Sequence, residues 1–120
     1  MKQVYEISLL YDFYGELLTE GQREILSMYY FEDLSLSEIS ETRGATRAAA
    51  HDLIKRSESK LHGYEEKLHL IERFQKQSDQ FAAVLKMVEE AKDRAQEPEA
   101  VRSILTQVMA QTQELIDSAI

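Results

Sequence analysis

At 120 residues the chain has room for one domain, or for a small domain with an extended helical appendage. Charged residues make up 30%, and 4 Gly and 1 Pro are too few for a rich set of β-turns, so the composition reads as all-α. Cys is absent and the net charge is −8, which rules out disulfides and thiol chemistry and argues against a strongly basic nucleic-acid binder.

The charge is unevenly spread. Residues 1–34 carry −5, residues 35–60 carry +1, and residues 61–97 and 98–120 carry −2 each. No stretch approaches 18 uncharged apolar residues, so no membrane insertion is expected. The opening Met1-Lys2-Gln3-Val4-Tyr5-Glu6 meets acid too early for a secretion signal, and a cytoplasmic protein is expected.

In chain order, Ile7, Leu10, Tyr11, Tyr14 and Leu18 recur at helical spacing and predict a first helix over 4–18, weakened near Gly15. Thr19 with Gln22 three places on has the form of a capping box. The second helix should place Ile25, Leu26, Tyr29 and Tyr30 on one face. Glu32-Asp33-Leu34 forms a polar break, and Ser35 with Glu38 repeats the capping pattern before a short third helix from Leu36 to about Thr42. Gly44 can take a left-handed turn, and Thr46 caps a fourth helix opening Arg47-Ala48-Ala49-Ala50.

No strong breaker then appears before Pro98, apart from Gly63. Ile54, Ser57, Leu61, Tyr64, Leu68 and Ile71, then Phe74, Ser78, Phe81, Leu85 and Val88, follow a heptad seam with one phase slip. This predicts one long helix, which must fold back as a hairpin or meet another chain. Asp93 to Glu97 reads as a connector, and Pro98 as the first turn of a last helix with Val101, Ile104, Leu105, Val108, Met109, Leu115 and Ile116 in its stripe.

The segment from Leu36 to Arg56 has the layout of a helix-turn-helix: Ser40 as the small inner residue, Gly44 in the turn, and Ile39, Ala50 and Leu53 facing inward. Thr46, Arg47, Ala48, His51 and Asp52 then face outward at the start of the recognition helix, where such motifs meet base edges. Arg47 can hold guanine or phosphate through two hydrogen bonds, and Lys55 and Arg56 suit backbone phosphates. The candidate nucleic-acid-binding residues are therefore Thr46, Arg47, His51, Lys55 and Arg56, with Arg43 and Lys60 behind them.

Other constellations carry less. His51, His62 and His69 share a stripe on a continuous helix but stand roughly 16 and 10 Å apart, too far for one ion. Glu65-Glu66 and Glu89-Glu90 have no electrophile beside them and read as a solvated face. Tyr5, Tyr11, Tyr14, Tyr29 and Tyr30 could form a stacking platform, but their spacing suits a core with hydroxyls at its rim. No catalytic residue, metal site, cofactor or small-molecule substrate is expected, and no phosphate-binding glycine loop is present.

Leu18-Thr19-Glu20-Gly21-Gln22-Arg23-Glu24-Ile25-Leu26, with Tyr30 through Ile39, resembles region 4 of extracytoplasmic-type sigma factors. The closer resemblance is to the YlxM family of small helix-turn-helix proteins linked to the signal recognition particle (SRP). Tyr11 to Thr19 looks like that family's opening segment, and Leu53 to Glu58 with Tyr64 to His69 looks like its recognition helix and the helix after it. The resemblance covers about residues 5–85. It implies an all-α fold, no catalysis, homodimers, DNA binding inferred from the motif, and association with SRP components. Departures from the family's pattern are Arg43 before the turn glycine, and Ala45, Ala48 and Ala50 after it.

These readings converge on an all-α protein: a helix-turn-helix, sigma-region-4-like domain over residues 1–62, and a C-terminal helical dimerisation region over 63–120. The expected function is a non-enzymatic helix-turn-helix regulatory protein, DNA-binding by its motif and associated with the SRP protein-targeting pathway, with DNA, RNA or SRP components as candidate partners. The alternative is a sequence-specific DNA-binding transcription regulator unrelated to SRP. The apolar stripes beyond residue 61 suit either packing within the chain or a homodimer.

Overall fold

The computed structural model describes residues 2–118, which contain six α-helices and no strand. The chain divides into two compact units, Met1–Ile71 and Glu72–Ile120. None of the described helices is long and apolar enough to cross a membrane.

In the first unit, α1 (Lys2–Tyr14) runs through a 3-10 turn, Gly15–Leu17, to α2 (Glu20–Leu26). The expected capping box forms: Thr19 Oγ1 accepts the Gln22 N–H at 3.2 Å, and the Gln22 side chain accepts the Thr19 N–H at 3.0 Å. A π-turn, Ser27–Phe31, follows, closed by the Glu32 N–H on the Ser27 carbonyl at 2.9 Å. It shifts the helical phase, so Met28 is buried while Tyr29 is 38% exposed. Of the expected inner face, Ile25 and Leu26 are buried and Tyr30 packs against the core, but Tyr29 turns out of it. Tyr29 and Tyr30 instead meet edge to face, with ring centroids 5.0 Å apart.

Next come α3 (Leu36–Arg43) and α4 (Arg47–Leu68), the spine against which α1, α2 and α3 all pack. Ile7, Leu10 and Tyr14 of α1, Leu18, Ile25 and Leu26, Ile39 of α3, and Ala50, Ile54 and Leu61 of α4 form one buried cluster. Each fully buried Leu or Ile side chain contributes about 1.5–3 kcal/mol. Ser57 occupies a fully buried seam position because its hydroxyl donates to the Leu53 carbonyl at 2.7 Å.

The expected unbroken helix past residue 68 is not found. His69 takes a left-handed conformation with φ of 55°, and α5 (Leu70–Asp93) begins anew. A helix start leaves backbone N–H groups without intrahelical partners, and here the core supplies acceptors. The Leu70 N–H donates to the Tyr14 hydroxyl oxygen at 3.1 Å, and the Ile71 N–H to Glu65 Oε1 at 3.0 Å. The Tyr14 O–H donates in turn to the same Glu65 oxygen. This network offsets the cost of a non-glycine left-handed residue, about 1–2 kcal/mol. Ile71 then turns into the buried cluster. The phase slip in the heptad seam therefore marks a break, and His69 leaves the stripe that His51 and His62 share on α4.

In the second unit, the remainder of α5 leads through a turn to α6 (Pro98–Ser118), which starts at proline as expected. Arg94 closes the turn, 2.7 Å from Glu97 and 3.7 Å from Glu90. Ser118 lines one small cleft with Arg73, Lys76, Gln77 and Gln80, so α6 runs back along α5. Ala91, Ile104 and Leu115 are buried. Phe74, Phe81, Leu85 and Val88 of α5 and Leu105, Met109 and Ile116 of α6 remain exposed.

Candidate nucleic-acid interface

The turn between α3 and α4 is built from short-range chemistry. Ser35 Oγ accepts the Glu38 N–H at 3.1 Å and the Glu38 carboxylate accepts the Ser35 N–H at 3.1 Å. That backbone hydrogen bond holds the Glu38 carboxyl below the usual carboxylate range. At the far end of α3, Gly44 sits at φ of 67°, with its N–H on Glu41 O and the Ala45 N–H on Ser40 O. This is a Schellman stop, which favours glycine at its left-handed position. Thr46 then caps α4 by accepting the Ala49 N–H at 3.0 Å.

The result is a helix whose first turn, Arg47-Ala48-Ala49-Ala50, holds no acid, whereas α2, α3, α5 and α6 each place a glutamate there. Free N–H groups and the helix dipole make that end of α4 attractive to anions. Arg47 and His51 are exposed one turn apart, and among the described residues Arg47 has no carboxylate within 4.0 Å. Ala48 and Asp52 are exposed beside them.

The two remaining sequence-derived cations are engaged. Lys55 Nζ lies 3.6 Å from Glu58, whose carboxylate is largely buried and also accepts the Tyr30 hydroxyl. Arg56 pairs with Asp52 at 3.0 Å, both ends well exposed. Exposed pairs are worth about 0–1 kcal/mol, so Arg56 exchanges partners more readily than Lys55. Thr46 contributes through its cap, its hydroxyl being occupied by the backbone. Arg43, the residue before the turn glycine, lies back over α2, with Nη1 3.6 Å from Glu24 and Nη2 beside Gly21.

Sequence reasoning missed a second feature of α4. Arg56, Ser59, Lys60, Gly63, Tyr64 and Lys67 line an open cleft of about 420 Å³ with no carboxylate in its wall. The spacing i, i+4, i+11 of its three cations was visible in the sequence. The Tyr64 hydroxyl is fixed from behind by the Leu17 carbonyl at 3.3 Å. Two tyrosines behind α4, the buried Tyr14 and the half-buried Tyr30, are held neutral: both are pushed up, by burial first and then by their bonds to Glu65 and Glu58.

Comparison with known proteins bears on this architecture. The profile of the family described as "Putative helix-turn-helix protein, YlxM / p13 like" matches residues 1–114. The chain is 40% identical over 117 residues to the UPF0122 protein of Desulforamulus reducens, covering 96% of this chain and 100% of that relative. It is 44% identical over 104 residues to the UPF0122 protein of Symbiobacterium thermophilum, covering 87% and 94% of the two chains. Against a UPF0122 protein of Clostridium perfringens, identity is 50% over 76 residues, covering 63% and 68%.

Proposed function

The chain belongs to the YlxM / p13-like family of helix-turn-helix proteins, and we propose that it is a non-enzymatic, cytoplasmic regulator that binds nucleic acid through the start of α4. The observation that carries this reading is the N-terminal end of α4. It combines a capped, acid-free first turn with an exposed His51 and an Arg47 that, among the described residues, has no carboxylate within 4.0 Å. Phosphate fits the backbone N–H groups, and Arg47 can reach a base edge or a second phosphate. Lys55 and Arg56 add weaker contacts, since each must first leave an internal carboxylate.

The regulatory role is placed with the SRP pathway, a reading supported by the resemblance to YlxM proteins. The second unit is assigned to homodimerisation. The exposed Phe74, Phe81, Leu85 and Val88 of α5 and Leu105, Met109 and Ile116 of α6 support that assignment, being a face suited to a second copy of the same hairpin.

Three measurements test these assignments. Duplex binding followed by anisotropy should weaken about tenfold in Arg47→Ala combined with His51→Ala; unchanged binding rejects the interface. A pull-down with purified SRP components should retain the protein, and its absence from every component rejects the pathway assignment. Light scattering at tens of micromolar should give twice the monomer mass.

A further inference from the structure

The cleft on α4 lies away from the end that carries Arg47, and of its lining the nucleic-acid reading above uses Arg56 alone. Its centre is Gly63. Glycine inside a helix is destabilising relative to alanine, so a mid-helix glycine calls for a reason. Packing within the protein gives none, because a Cβ at position 63 would meet nothing within 4 Å. The left-handed region gives none either, because among the described residues Gly44 is the only glycine at positive φ. What Gly63 does provide is a shallow place on the helix, flanked by Lys60, Tyr64 and Lys67, where something outside can approach the backbone closely.

The charges indicate what approaches. Lys60 and Lys67 are exposed and, among the described residues, have no carboxylate within 4.0 Å; Arg56 is held only by the exposed Asp52. From the helical rise, Arg56 and Lys60 stand about 6 Å apart along the axis and Lys60 and Lys67 about 10 Å. These intervals resemble one and two steps between phosphates along an extended strand. There is one row of cations, whereas a duplex groove presents phosphates on both sides. Most of the wall is apolar, from lysine stems, the glycine and the tyrosine ring, which suits sugars and base edges.

We propose that this face of α4 is a second nucleic-acid site that grips one single strand by its phosphates. Arg56, Lys60 and Lys67 each meet a phosphate, and Gly63 lets the sugar-phosphate chain lie against the helix. The site is distinct from the recognition end. Arg47 lies about 13 Å from Arg56 and 30 Å from Lys67 along the axis, and a helical twist of about 100° per residue turns it to another side of the helix.

The test uses the full chain and a fluorescein-labelled twelve-nucleotide oligothymidylate, which forms no duplex. Three phosphate contacts on a single strand predict that log K falls with log salt at a slope near −2, and Lys60→Glu with Lys67→Glu should bring it towards −0.7 and weaken binding at least tenfold. Gly63→Ala separates this role from a structural one. It should raise the thermal midpoint, as an alanine in a helix interior does, while weakening oligothymidylate binding several-fold. Arg47→Ala with His51→Ala should leave the oligothymidylate affinity unchanged while impairing duplex binding, so the two sites fail separately. The proposal is overturned if Gly63→Ala binds as tightly as the wild type or lowers the midpoint. It is equally overturned if the double charge reversal, folded by circular dichroism, keeps the wild-type salt slope.

Discussion

Tyr14→Phe isolates the network that breaks α4 from α5. Phe fills the same space at a position only 1% exposed, so no cavity forms and the change removes the hydroxyl alone. Two interactions go with it: the O–H bond donated to the Glu65 carboxylate, and the acceptor of the Leu70 N–H at 3.1 Å. A hydrogen bond to a charged group is worth about 1.5–3 kcal/mol and an ordinary one about 0.5–1.5 kcal/mol. Glu65 keeps the Ile71 N–H, so the loss should fall near 2–3 kcal/mol. With a urea dependence of about 1–2 kcal/mol per molar for a small protein, the unfolding midpoint should drop by roughly 1–3 M. Amide exchange should localise the effect: Leu70 and Ile71 should exchange on the order of 30-fold faster, while the Ala49 amide, bonded to the Thr46 cap at the far end of α4 and exchanging by local opening there, should keep its rate. In a double-mutant cycle with Glu65→Gln, the two changes should be coupled by more than about 1 kcal/mol. A Tyr14→Phe protein within about 0.5 kcal/mol of wild type, with Leu70 exchanging as before, would refute the account of the break.

Further outcomes follow from single residues. Tyr14 and Tyr30 have folded pKa values raised above the ordinary 10.0. Their contribution to stability is complete below about pH 10 and is lost as pH rises beyond it; ultraviolet titration should show two late-ionising tyrosines, and Tyr14→Phe with Tyr30→Phe should flatten the alkaline loss. Gly44→Ala places a Cβ at φ of 67° and should cost about 1–2 kcal/mol, with Gly44→Asn costing less, read from thermal melts. Asp52→Asn removes a negative charge from the outward face of α4 and frees Arg56. Duplex affinity at low salt should therefore rise several-fold, the gain vanishing at high salt.

Caps and turns were legible in the sequence because their chemistry is local. Thr19 with Gln22, Ser35 with Glu38, Gly44, Thr46 and Pro98 each act within a few residues of chain. The π-turn at Ser27–Phe31 and the break at His69 were not, for different reasons. The π-turn inserts a phase change into a run of apolar residues, so Met28 and Tyr29 exchange the faces that a 3.6-residue period assigns them. The break at His69 depends on Tyr14, 56 residues before Leu70, and a seam read along one helix has no access to an acceptor delivered by another. Of the candidate site, the identity and exposure of Arg47 and His51 could be read from spacing. The capture of Lys55 by Glu58 could not, because Glu58 is buried and is held from the other side by Tyr30.

Those captured charges bear on how an acidic chain could bind a polyanion. Counterion release rewards each cation that reaches a phosphate, but a lysine already satisfied by a buried carboxylate gains little by leaving it, and Glu58 would remain behind without its charge partner. Lys55 therefore serves the packing of α4 more than the ligand, despite its position in the motif. Among the described residues Arg47, Lys60 and Lys67 have no carboxylate within ion-pair distance, and Arg56 has an exposed one. Cations without a buried competitor thus stand at two separate places on α4, Arg47 at the recognition end and Lys60 and Lys67 further on and on another side, so each place should hold its own ligand. A helix-turn-helix with thinned readout chemistry at Ala48 can, on that division of labour, still hold nucleic acid without reading a long sequence.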